Sequence, residues 1–178
     1  VTTDDPEIMD ICNAVPGVDV PFQRPAHLAE DETNAVDVFF HLLDWLETGE
    51  RTNVESFCVL QPTSPLRLPE DIDGAARLFS ETDSLAVLSV TESKPLPWHY
   101  YLQSDGRMAP LEQGEDSANP MNMRQKISDL VVQNGAVHIF DVTELRKTRS
   151  YYGPKTFGYM MPASRSVDID DAMDFSIA

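Results

Sequence analysis

A chain of 178 residues, 42% of them hydrophobic, can bury one substantial core and has the composition of an ordinary globular domain. Its 30 acidic and 13 basic residues leave a net charge of -17, which repels phosphate backbones at long range and argues against nucleic acid as a partner, though not against a nucleotide held by a few arginines or a cation. No apolar run approaches the roughly 18–20 residues of a membrane span, and Val1-Thr2-Thr3-Asp4-Asp5 lacks the basic head and apolar run of a signal peptide, so a soluble, cytoplasmic protein is expected.

Asp4-Asp5-Pro6-Glu7 reads as a helix start, with an Asp cap and Pro in the first turn, and Ile8, Met9, Ile11, Cys12 and Val15 give that helix an apolar face. A second helix begins near Asp31–Thr33, carries Val36, Phe39, Phe40, Leu43 and Leu46 at spacings of three and four, and stops near Gly49. Ser56–Leu60 is a short apolar strand, followed by the loop Gln61–Arg67. A third helix opens at Pro69-Glu70-Asp71 and buries Ile72, Ala75, Ala76 and Phe79; Leu85–Val90 is again a strand. Strand and helix alternating at this pitch imply an α/β fold, with a mostly parallel sheet and helices on both faces.

Trp98–Gln103 and Arg107–Leu111 read as a hairpin closed by Ser104-Asp105-Gly106, since Asp-Gly favours a tight turn. The polar stretch 112–129 has no clear period, so residues 92–131 are taken as an arm inserted in a core formed by residues 1–91 and 132–178. Val131–Phe140 returns to the sheet, Asp141 and Glu144 open a short helix ending near Arg149, and Phe157–Met161 and Ser166–Ile169 are expected strands. Asp170–Ala178 begins a last helix. Val1-Thr2-Thr3 reads as the end of a strand, so a preceding strand–loop–helix unit is expected to be missing. Cys12 and Cys58 sit among apolar neighbours, fit no metal or redox spacing, and are expected to be buried.

Ser166-Val167-Asp168-Ile169-Asp170-Asp171 is the sharpest chemical signal. In a strand, residues two apart share a side, so Asp168 and Asp170 would project together and repel unless a cation or a proton neutralises them. Magnesium favours one or two carboxylates plus phosphate oxygens. The competing reading is that Asp170 or Asp171 caps the last helix; the stretch by itself leaves both open. Leu60–Arg67 follows a strand, where open α/β sheets bind ligands, and its prolines stiffen Gln61, Thr63 and Ser64. The alternative is a plain connection with Arg67 paired at the surface. Arg24, before Pro25, would ordinarily pair with a carboxylate. Arg124, Asn134, Tyr151 and Tyr152 are open in the same way, and His138, alternating with Val137 and Ile139, is more often structural than catalytic. No Ser/His/Asp spacing, Gly-rich phosphate loop or paired-cysteine metal motif is present.

Taken in order, Thr3-Asp4-Asp5 with Glu7-Ile8, Arg24-Pro25 with Leu28-Ala29, Leu60–Arg67 (LQPTSPLR), Arg124, Asn134-Gly135-Ala136 and Ser166–Asp170 (S-x-DID) resemble the CMP–sialic acid synthetases, or acylneuraminate cytidylyltransferases, over the length of the chain. The resemblance implies a nucleotide-diphospho-sugar transferase type of fold and a homodimer joined through the 92–131 hairpin arm. The implied enzyme is a nucleotidyltransferase that joins CTP and a nine-carbon sugar acid into a CMP-sugar and pyrophosphate. It makes Asp168 and Asp170 the catalytic pair that holds Mg2+ and puts Arg24 in the nucleotide pocket. Gln61, Asn134 and His138 are implied on the sugar, His138 in place of a tyrosine, with Tyr151 and Tyr152 against its N-acyl group. Arg124 is sent by the arm into a neighbouring subunit's site to meet the sugar carboxylate. Enzymes for legionaminic or pseudaminic acid, or an inactive relative that only binds a sugar acid or dimerises, are the alternatives.

Two departures stand out. Val132-Gln133 replaces the family's Arg-Pro before NGA, removing one expected cation. The family's AR-x-G-S-K…K-N nucleotide signature lies before STDD, and its absence is the second mark of the expected truncation.

Overall fold

The chain enters its first helix through a side-chain cap: Asp5 Oδ1 accepts from the Glu7 amide at 2.7 Å and the Ile8 amide at 3.3 Å, and Pro6 opens α1 (Pro6–Asn13). The structure, a computed structural model, describes residues 1–49, 52–93, 100–110 and 130–178. They form two units, Val1–Phe57 with Asp141–Tyr151, and Cys58–Phe140 with Tyr152–Ala178.

In the first unit, α2 (Ala35–Gly49) buries Val36, Phe40 and Leu43 along the expected stripe, and Asn34 Oδ1 caps it through the Val36 amide at 2.9 Å. The third α-helix of this unit is α4 (Val142–Thr148), which buries Val142 and Leu145 behind an Asp141 cap on the Glu144 amide at 2.7 Å. Arg146 and Arg149 each lie 5.2 Å from the Phe40 ring while pairing with Asp44, Glu47 and Asp37. Exposed pairs of this kind contribute about 0–1 kcal/mol each, so apolar burial carries the unit. The apolar face expected on α1 is different: Ile8, Ile11 and Val15 are exposed and no α1 residue is buried. Helical spacing tells which side chains share a face, not whether anything covers it.

The second unit holds most of a four-stranded sheet in the order β1-β5-β2-β6, from β1 (Ser56–Val59), β2 (Ala86–Glu92), β5 (Val131–Asp141) and β6 (Thr156–Met160). β2 runs parallel to β6, with Ala86 opposite Thr156, and antiparallel to β5, with Ala86 opposite Phe140, so the sheet is mixed. α3 (Pro69–Glu81) covers a core of Ala75, Val87, Ala136, Val137, Ile139 and Met161, with Ile72, Leu78 and Phe79 packed against it. Leu78 takes the inward place expected for Ala76, which is exposed. Where α3 meets β6, a Cβ on Gly74 would overlap the Tyr159 ring, so a larger residue there would have to displace that ring. β3 (Tyr100–Leu102) and β4 (Met108–Pro110) form the expected hairpin as a separate two-stranded sheet, turning at Gly106 with φ 85°.

Two further expectations are corrected, and one open alternative is resolved. Cys12 is half-buried and Cys58 exposed, because β1 alternates along a lightly covered strand. Ser166–Ile169 forms no strand and joins no ladder. Asp171, not Asp170, caps α5 (Ala172–Ile177), its Oδ1 accepting from the Met173 amide at 2.7 Å and the Asp174 amide at 3.0 Å. Among the described residues no helix is long and apolar enough to cross a membrane.

An ion pair with a buried carboxylate ties α3 to the C-terminal part of the unit. Asp71, fully buried, accepts from Arg165 Nε at 2.8 Å and Nη2 at 2.7 Å and from the Leu68 amide at 2.9 Å. The Arg165 hydrogen bonds hold the Asp71 carboxyl below its ordinary value against the opposing push of burial. A depressed folded pKa adds stability above the unfolded value, about 3.9, that is lost as pH falls through the folded one. Asp71→Asn is expected to cost about 1–3 kcal/mol at neutral pH in urea unfolding. The gap from wild type should narrow below about pH 4.

Candidate active site

The site begins with an irregularity in β5. The β2–β5 ladder pairs Leu88 with His138 and then Val90 with Gln133, leaving Ser89 opposite residues 134–137. Such a bulge re-aims side chains and leaves amides to be satisfied elsewhere. Ser89 does this: its hydroxyl accepts from the Val137 amide at 2.8 Å and donates to Asn134 Oδ1 at 2.5 Å. Asn134, 2% exposed, also takes the Ala136 amide at 3.2 Å and donates through Nδ2 to Ser166 Oγ at 2.8 Å and Met161 Sδ at 3.5 Å. All four hydrogen-bonding positions of its amide are engaged. Gly135 then adopts φ +69°, a left-handed conformation that favours glycine.

The loop 61–67 is fastened to this bulge. Pro62 sits in a turn closed by the Ser64 amide on Gln61 O at 3.3 Å, and buried Ser64 donates to Asn134 O at 2.9 Å. Arg67 Nη1 donates to Gln61 O at 2.9 Å, Ser64 O at 2.8 Å and Ala136 O at 3.0 Å, and Nη2 to Gln61 O at 2.7 Å. Burial lowers the Arg67 pKa, and its donors are taken up by carbonyls rather than by the surface carboxylate of the plain-connection reading. Arg67 therefore holds the loop.

The segment carrying Asp168 is held on both sides. Arg165 grips Asp71, Ser166 meets Asn134 and donates to Pro162 O at 2.9 Å, the Ile169 amide donates to Thr63 O at 2.8 Å, and Asp171 caps α5. With Asp171 as the cap, the side chains of Asp168 and Asp170 are not used for that purpose.

Loop, bulge and segment converge at Gly135. A Cβ there would collide with Gln61 Oε1, lie 3.1 Å from Ser64 Oγ and 3.4 Å from Asp168 Oδ2. Asp168 Oδ1 is buried without a hydrogen-bond partner, as is Nε2 of His138, whose residue is 7% exposed. Burial pushes the imidazole pKa down while the Asp168 charge pushes it up, so the two side chains feel each other. A buried, unpartnered carboxylate oxygen is costly unless a cation or proton neutralises it, so the site suits a divalent ion. Among the described residues no cluster of three or more His, Cys, Asp or Glu side chains could hold a metal alone.

Gln61, Asn134, His138 and Asp168 are thus brought together, and Asp170 follows two residues on, exposed. Tyr152 lies elsewhere in the second unit. Its hydroxyl accepts from Gln133 Nε2 at 3.0 Å, beside an apolar hollow of about 480 Å³ lined also by Leu88, Val90 and Phe157. Arg24 and Tyr151 belong to the first unit, where Arg24 Nη2 pairs with Asp4 at 3.3 Å and its Nε is buried without a partner. Arg124 lies outside the described residues. Ser166 stood in the S-x-DID motif without a role of its own, and Ser89 was not anticipated; a serine inside the apolar run Leu85–Val90 was the available signal.

The fold has a solved counterpart. The 4-diphosphocytidyl-2C-methyl-D-erythritol synthase of Anaerococcus prevotii superposes with a TM-score of 0.58 at 13% identity, covering 98% of this chain and 75% of that one. The chain thus has a nucleotidyltransferase-like α/β fold. No protein-family model matches it. In sequence it is 28% identical over 181 residues to the CMP-N,N'-diacetyllegionaminic acid synthase of Legionella pneumophila, covering 99% of this chain and 74% of that protein. It is 31% identical over 157 residues to the N-acylneuraminate cytidylyltransferase of Escherichia coli, covering 87% of this chain, and 30% identical over 175 residues to that of Streptococcus agalactiae, covering 98%. The chain spans 35% and 40% of the lengths of those two proteins. By sequence it is a relative of proteins named CMP-N,N'-diacetyllegionaminic acid synthase and N-acylneuraminate cytidylyltransferase.

Gly135→Ala would place a methyl group on the Gln61 amide and force a left-handed alanine. It is expected to cost at least about 1–2 kcal/mol in urea unfolding.

Proposed function

We propose that the protein is a cytidylyltransferase that activates a nine-carbon, sialic-type sugar acid with CTP, giving the CMP-sugar and pyrophosphate. The observation that carries this reading is the buried, unpartnered carboxylate oxygen of Asp168, set beside Gln61 and His138 at Gly135 in a chain related to CMP-sugar-acid synthases. Asp168 and Asp170 would hold Mg2+, with phosphate and water oxygens completing its shell. The ion would offset phosphate charge as the anomeric hydroxyl of the sugar attacks the α-phosphate.

The chain's own residues supply positioning. Arg67 fixes the Gln61 main chain, leaving the side-chain amide to hydrogen-bond the sugar. His138, kept neutral by burial, offers Nε2 to a second polar group of the substrate. Arg24 serves the nucleotide, Tyr151 and Tyr152 the N-acyl group, and Arg124 the carboxylate of a sugar bound by the neighbouring subunit of a homodimer. Legionaminic acid is the second reading for the sugar, because the legionaminic acid synthase of Legionella pneumophila is matched over 74% of its length.

Assayed as its full reading frame encodes it, the protein should release pyrophosphate from CTP only when a sugar acid and Mg2+ are both present. Comparing neuraminic with legionaminic acid identifies the sugar. Asp168→Ala should lower kcat/KM at least about 10²-fold, as loss of a charge-stabilising group at a reacting centre does. Release at the wild-type rate from that variant would remove the carboxylate from the reaction.

A further inference from the structure

The four-way engagement of the Asn134 amide has a consequence for the Asp168 carboxylate. Nδ2 reaches Ser166 Oγ at 2.8 Å, two residues before Asp168, while Oδ1 is held by Ser89 Oγ at 2.5 Å and the Ala136 amide at 3.2 Å. The Asn134 carbonyl meanwhile receives Ser64 Oγ at 2.9 Å from the loop that carries Gln61. One residue in the bulge therefore touches both segments whose side chains meet at Gly135. With no hydrogen-bonding position left, the amide cannot take a substrate without giving up an internal bond.

We infer that Asn134 is a positioning residue: through Ser166 it sets the placement of the Asp168 carboxylate relative to Gln61, rather than contacting the sugar. The inference rests on the reading of Asp168 as a cation ligand. The partners of a metal-binding carboxylate tune affinity by orienting it, and losing one typically weakens binding 10–100-fold. The Asn134–Ser166 bond acts one step further out, through the backbone between Ser166 and Asp168.

The test is Mn2+ binding to the full chain, followed by calorimetry without substrates, with thermal unfolding run alongside. Asp168→Ala should abolish binding. Ser166→Ala, which removes the acceptor of the Asn134 amide, should weaken Mn2+ by about tenfold or more, and Ser166→Thr, which keeps a hydroxyl, should restore affinity to within about threefold of wild type. Should Ser166→Ala fail to fold, Ser89→Ala loosens the Oδ1 end of the same amide and is expected to weaken Mn2+ likewise. If Ser166→Ala lowers the unfolding temperature but binds Mn2+ as wild type does while Asp168→Ala does not bind, the bond is merely structural and the inference falls alone. If Asp168→Ala keeps wild-type affinity, the cation reading falls and the inference with it.

Discussion

The second unit depends on one accommodation in its sheet: four residues of β5 lie opposite one residue of β2, and the Ser89 hydroxyl takes over the bonds the ladder loses. A regular strand would turn successive side chains to opposite faces. The bulge instead turns the Asn134 amide inward and brings Gly135, at φ +69°, against Gln61 and Asp168. A buried serine within the apolar run Leu85–Val90 is costly on its own; here its hydroxyl both donates and accepts.

Around that bulge, polar groups divide into those spent and those left over. Arg67 donates to three carbonyls, Asn134 is saturated, and Arg165 is committed to Asp71. Left over are Asp168 Oδ1 and His138 Nε2, each buried without a partner. A folded chain seldom leaves such atoms idle. Their placement together, on a scaffold held by the first set, is what the proposed cation site rests on.

The strand and helix order was legible because apolar periodicity is a local property. α2, α3, β2, β5, β6 and the hairpin stand within a few residues of where the spacing puts them. Burial was less legible. Ile8 and Ile11 look like a core face yet are exposed, and Ala76 yields to Leu78, since covering a face depends on distant segments. Asp-Ile-Asp flagged two carboxylates, but only the fold separates the cap, Asp171, from Asp168. Asn134 looked like a ligand group and Arg67 like a surface ion-pair partner, yet the bonds of both lie inside the protein, with groups as distant in sequence as Ser89 from Asn134 and Ala136 from Arg67. Ser89 carried no sequence flag beyond its setting, because its use depends on the register of a strand 45 residues further along.

The central claim is that loop 61–67, the β5 bulge and the Asp168 segment form one cation-binding place. Paramagnetic broadening by substoichiometric Mn2+ in NMR spectra of the labelled chain tests it most directly. The Gly135 amide, the Gln61 side-chain amide and the His138 ring should broaden first, while Gly106 in the hairpin turn stays sharp. Broadening that spares Gly135 and Gln61, or centres on another acidic surface, would contradict the account.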